Sequence, residues 1–360
     1  MRIKNRKELT EYLEERLIKS YEELKENQEL EQSMLKTYLI ESNLPSIEKI
    51  PKIEGYEYKI IPTEDRNLHI LHVEDRKSKM QFYVDTLNPR FWLFHTLSKS
   101  IFTDKFIKKF VTSKVNHLDF PWLPIPFLEN IGEYSIFRGF SLKYVNEFVP
   151  VDQEEIPVQK LSMRLWGNVA KDVLTALRND KKLKHSIAIA GVGVKQYINS
   201  NGDFIISDIT YQGKFTARGT SIDAYYYLLE KVKIDYEKRV KEIGEHSLSI
   251  NEQNGSYRLS GKPFAIILKN EIEDLSKFVN ILLSSRHPFR LWGVYKILDK
   301  NFIKVNAIDL HTGDELNLEL TSEWFRVYIP KGSCGNSVMR LFTNIQHFYD
   351  SDAILEVNAI

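Results

Sequence analysis

Apolar positions recur every three to four residues at the start of the chain. Leu13, Leu17, Tyr21 and Leu24 form a stripe that slips and resumes at Leu30, Met34 and Tyr38, which predicts one long helix over residues 8–42, ended by Asn43 and Pro45. The pattern then shortens. Tyr56–Ile61, Leu68–Val73 and Lys79–Asp85 are β-rich runs separated by polar turns, as in a β-meander. A helix is expected from about Phe91 to Val111. The prolines in Phe120–Phe127 exclude a helix interior or a central strand, leaving an extended connector pegged by Trp122 and Phe127. Residues 134–148 return to strand-like alternation.

Leu161, Leu165, Val169, Val173 and Leu177 fall four apart and predict a helix over Val158–Arg178. Ser186–Tyr197 and Asp203–Tyr211 read as strands joined at Asn201-Gly202. A second helix runs from Ser221 to Gly244, opened by capping-box-like spacing in Thr220-Ser-Ile-Asp223. The last third reads as a strand (Phe264–Leu268), a helix (Ile272–Leu283), strands at Phe289–Leu298, Phe302–Asp309, Glu315–Leu320 and Trp324–Ile329, and a helix at Ser337–Tyr349. Strands and helices come in blocks, so the expected class is α+β, multidomain, with largely antiparallel sheets, packed helices and a long N-terminal helix. Two polar stretches, Pro150–Pro157 and His246–Lys262, read as linkers. They suggest an acidic N-terminal helix (1–45), an α+β domain with a basic-aromatic helix (46–150), a second α+β domain (151–250) and a C-terminal one (251–360). Arg-Leu-Trp-Gly occurs at 164–167 and again at 290–293, too short an echo to establish a duplication.

Composition narrows the classes. The 360 residues carry 50 Lys+Arg against 49 Asp+Glu and a single cysteine. One cysteine excludes an intramolecular disulfide framework and multi-cysteine metal sites. No apolar run approaches a membrane span and no signal-peptide core opens the chain, so a soluble, cytoplasmic protein with no membrane partner is expected.

The near-neutral total hides local charge. Residues 8–31 hold nine Glu against Arg16, Lys19 and Lys25, a net of −6 that suits a docking face for a protein partner. Residues 90–114 hold Arg90, Lys99, Lys105, Lys108, Lys109 and Lys114 against Asp104, interleaved with Phe91, Trp92, Phe94, Phe102, Phe106 and Phe110. Residues 158–185 add Arg164, Lys171, Lys181 and Lys182 among their seven cations. Two glycine-bearing loops, Gly213–Ser221 with Lys214 and Arg218, and Pro330–Ser337 with Lys331 followed by Arg340, are each expected to open a helix and offer N–H groups to phosphate. Cations that release condensed counterions, beside rings that stack on bases, are what a nucleic-acid strand requires.

The leading expectation is therefore a non-enzymatic component of an intracellular complex that binds single-stranded or guide/target-like nucleic acid and a protein partner. A second expectation is a cysteine-dependent hydrolase or transferase centred on Cys334, with His311 or His287 as base. A third is a purely structural interaction subunit. No metal or cofactor is expected. Neither glycine loop matches a phosphate-binding P-loop, Gly191-Val-Gly193 lies within a strand with no helix after it, and His69 and His72 fall on opposite strand faces.

Overall fold

The computed structural model describes residues 3–26, 34–112, 117–148, 158–198, 202–253, 256–285 and 287–357. Among them are seven α-helices and 19 strands in antiparallel sheets, so the chain is a mixed α+β protein with a long N-terminal helix. In chain order they are α1 (Arg6–Glu26), β1 (Leu35–Ser42), β2 (Glu57–Pro62), β3 (Leu68–Glu74), β4 (Lys79–Asp85), β5 (Phe91–Thr96), α2 (Ser100–Thr112), β6 (Leu118–Asp119), α3 (Ile125–Glu133), β7 (Ile136–Val145) and β8 (Lys160–Trp166). Then come α4 (Ala170–Asn179), β9 (Ile189–Tyr197), β10 (Phe204–Thr210), β11 (Lys214–Gly219), α5 (Ile222–Glu245), β12 (Ser249–Gln253), β13 (Ser256–Ser260), β14 (Phe264–Ile267) and α6 (Leu275–Leu282). The chain closes with β15 (Leu291–Asp299), β16 (Phe302–Asp309), β17 (Glu315–Leu320), β18 (Trp324–Tyr328), α7 (Asn336–Phe348) and β19 (Ile354–Val357).

The described residues fall into two compact units that interleave along the sequence. The first draws on Met1–Pro121, Leu128–Arg138 and Gly191–Asp235, the second on Trp122–Phe127, Gly139–Ala190 and Tyr236–Ile360.

In the first unit an antiparallel sheet runs in the order β2-β3-β4-β5-β1-β11-β10-β9, with the short β6 also pairing β1. Alternation on β4 shows how it is covered. Tyr83 meets Tyr12 of α1 edge-on at 6.0 Å, while its neighbour Phe82 meets Phe106 of α2 at 5.5 Å. Strand β1 lies between these layers and all eight of its residues are buried. That corrects the single helix expected over 8–42. The slip in the stripe after Leu24 marks the end of α1, and a strand buried on both faces has no alternation to betray it. The helix expected over 91–111 divides for the same reason: Phe91–Thr96 is a wholly buried strand, and only 100–112 is helical.

In the second unit a six-stranded antiparallel sheet runs β15-β16-β17-β18-β14-β19. Helix α7 is buried from Asn336 to His347, polar residues included. Its side chains serve backbone groups around it. Asn344 donates to Pro288 O (3.3 Å), Thr343 to Trp122 O (3.2 Å), and Gln346 accepts from Ile125 N–H (3.0 Å). Such hydrogen bonds offset the cost of burying polar side chains. Two more expectations are corrected here. The helix over 158–178 is β8 followed by the shorter α4. The stretch 246–262 is the hairpin β12–β13, joined to the end of β18 through Leu248 N–H to Ile329 O (2.8 Å). The linker expected at 150–157 lies outside the described residues. Among the described residues no helix is long and apolar enough to cross a membrane.

Candidate nucleic-acid interface

The basic-aromatic segment keeps its cations and loses its rings. Lys99, Lys105, Lys108 and Lys109 are exposed on or beside α2. Phe106 and Phe110 point into the core and stack on each other at 5.4 Å, while Phe91, Trp92 and Phe94 are buried in β5. The α2 lysines thus form a solvated row without the base-stacking surface the sequence suggested. Lys109 is engaged locally, donating to Glu54 O at 2.5 Å. Lys114 lies outside the described residues.

Several other candidate cations are committed to carboxylates. Arg90 binds the buried Glu41 at 2.9 Å. Residues 214–219, expected as a phosphate loop, are the strand β11. Its Lys214 binds Asp104 at 2.7 Å and its Arg218 stands 3.9 Å from Asp208. Arg340, 1% exposed, is bound to Asp309 inside the second unit and is withdrawn from any phosphate. Lys331 remains exposed on the turn before α7, next to Gly332 at φ +92°.

A different surface emerges from the hairpin β7–β8 of the second unit. Cross-strand partners share a face, and here they are Gly139 with Trp166, Ser141 with Arg164, Lys143 with Ser162, and Val145 with Lys160. The opposite face carries Phe140, Leu142 and Tyr144, all buried. The outward face therefore presents Lys143, Lys160 and Arg164, all exposed, with no carboxylate among its eight residues. Gly139 lets Trp166 lie close: a Cβ there would stand 2.9 Å from Trp166 Cδ2. The Arg164 guanidinium lies 5.5 Å from the Trp166 ring centre, within cation–π range. Lys171, Lys181 and Lys182 are exposed on and just after α4, farther along the same unit.

The structure also brings Cys334 and His311 together. Their ligand-capable atoms, Sγ and a ring nitrogen, lie within 4.8 Å of each other, and both residues are buried. Such donors can also hold a transition metal. Asp309 organises the surroundings. It accepts from His311 N–H at 2.9 Å, from the Ser337 hydroxyl and from the Arg340 guanidinium. Asp314 accepts from Cys334 N–H at 3.1 Å. His287, the other base considered, stands instead beside Trp122, ring centres 6.3 Å apart.

Residues 1–360 match the family model described as MJECL33-like protein. The chain belongs to the MJECL33-like protein family. It is 32% identical to "Uncharacterized protein MJECL33" of Methanocaldococcus jannaschii over 393 aligned residues, covering 99% of this chain and 94% of the relative. No solved structure matches.

In this MJECL33-like chain, sequence reasoning named Arg164 but passed over Lys143 and Trp166 as ligand contacts. The signal was present. Lys160, Ser162, Arg164 and Trp166 alternate with Leu161, Met163 and Leu165, a two-residue period that the four-residue spacing of leucines obscured.

Proposed function

We propose that this protein binds single-stranded nucleic acid, as a cytoplasmic component of a larger assembly, through the outward face of β7–β8. One observation carries the reading: Lys143, Lys160, Arg164 and Trp166 share a solvent-facing sheet surface that holds no carboxylate. Three cations track a phosphate backbone, and an indole beside a guanidinium offers a flat surface on which a base stacks. The lysine row of α2 adds a non-specific electrostatic contribution. The exposed Glu11, Glu15, Glu22 and Glu23 of α1 are the face we assign to a protein partner, because the apolar residues of that helix, Leu9, Leu13 and Leu17, are already buried.

The test is fluorescence anisotropy with labelled single-stranded DNA and RNA against the full chain. Three phosphate contacts give log K falling with log salt at a slope of about −2. Trp166→Ala is expected to cost about 1–3 kcal/mol of binding, and Lys160→Gln with Arg164→Gln should flatten the salt slope. Absent binding at micromolar protein, or binding indifferent to salt, overturns the reading and leaves a structural interaction subunit.

A further inference from the structure

The start of α7 holds chemistry that nucleic-acid binding does not use. Cys334 sits where β18 turns into α7, and His311 sits in the turn from β16 to β17, so two separate turns deliver a thiol and an imidazole to one point. Both backbones are fastened there. His311 N–H is held by Asp309, itself bound by Ser337 and Arg340. Cys334 N–H is held by Asp314 Oδ2, which also accepts from Thr312 Oγ1 at 2.6 Å. Gly335 follows at a point where a Cβ would stand 3.1 Å from Ile243 Cγ2, so the helix begins hard against α5. The tips of the two turns, Gly313 and Gly332, face open space.

We propose that Cys334 is the nucleophile of an acyl-transfer or hydrolysis activity, with His311 as its base and an activated acyl group (an ester, thioester or amide) as substrate. The activity stands independently of the nucleic-acid reading. The thiol proton passes to the His311 ring nitrogen, and the thiolate sulfur bonds to the carbonyl carbon. The bond to the leaving group breaks, and that group departs with the proton held by His311. Water then gives a proton to His311 as its oxygen bonds to the thioester carbon. The carbon–sulfur bond breaks, the acid is released, and the proton returns to the thiolate.

Two measurements on the full chain decide it. The first is iodoacetamide labelling of Cys334, followed by mass spectrometry from pH 5.5 to 9 in the wild type and in His311→Asn. The second is the nitrophenolate burst from p-nitrophenyl acetate. Wild-type labelling should already be fast at about pH 7, with a burst near one equivalent per chain. His311→Asn should shift labelling above about pH 8 and slow the burst by about 100-fold. Cys334→Ser should abolish both. A wild-type thiol that reacts only above about pH 8, or does not react in the native chain, overturns the proposal, and it does so even where the His311 variant fails to fold. A His311→Asn profile matching the wild type overturns it equally.

Discussion

Trp166 lies against Gly139 across the β7–β8 pair, so close that a Cβ on residue 139 would come within 2.9 Å of both its Cα and its Cδ2. Glycine is needed here for approach, not for an unusual backbone angle. Gly139→Ala is expected to cost about 1–3 kcal/mol through overpacking. It should also lift Trp166 off the sheet and weaken oligonucleotide binding. Urea denaturation and anisotropy on the same variant check both effects, and unchanged stability would contradict the packing argument.

Lys36 is buried on β1, where desolvation lowers its ammonium to about 7, aided by the charge of Lys214 and opposed by Asp104. The unfolded chain keeps this proton up to the ordinary value of 10.5. Between about pH 7 and 10.5 the unfolded state therefore binds more protons, and the contribution of Lys36 to stability rises with pH, being least favourable below pH 7. Lys36→Met should raise the urea midpoint at pH 6 and flatten the climb above pH 7. A midpoint that keeps the wild-type profile would refute this.

His95 and His347 are buried, and desolvation lowers each to about 4. His95 bonds Thr37 Oγ1 at 2.8 Å, and His347 bonds Lys143 O at 3.1 Å. As pH falls below 6.5 the unfolded chain takes up these protons first, so stability is lost between about pH 6.5 and 4, at most about 3 kcal/mol for each. His95→Gln should reduce that acid loss, read as the urea midpoint at pH 7 against pH 4.5. An equal acid loss in the variant counts against it.

Arg340 and Asp309 form an ion pair in which each side chain is 1% exposed. Arg340→Met leaves the Asp309 carboxylate buried without its cation and is expected to cost about 3–5 kcal/mol. Lys331→Met, on the exposed turn just upstream, should change stability by no more than about 0.5 kcal/mol. Chemical denaturation of the two variants side by side tests the contrast.

Oligonucleotide binding should separate the two basic surfaces. Changing Lys105, Lys108 and Lys109 to Glu should weaken binding through long-range charge alone and fade at high salt. Trp166→Ala should weaken it at every salt concentration, because stacking is not screened. Anisotropy at low and high salt distinguishes them, and a triple variant more damaging than Trp166→Ala at high salt would move the site to α2.

Several elements that turn one face to water were legible from their pattern; β8 was not, because its leucines also fall four apart. The meander β2–β4, the strands β16–β18 and the helix α5 all stand close to where alternation or helical spacing put them, and Ser221 caps α5 through Ala224 N–H at 3.1 Å. Two strands enclosed on both faces were misread, whereas the buried helix α7 was not. Leu35–Ser42 and Phe91–Thr96 bury every residue, and both read as helix from the sequence.

Local chemistry along the chain thus dictated the α+β class, the exposed lysines and the lone thiol. It could not dictate which rings turn inward, which arginines are neutralised by a carboxylate, or that residues 311 and 334 meet. Those outcomes depend on strand register and on turns far apart in sequence, and the burial that chooses among them exists only once the sheets have closed over their helices.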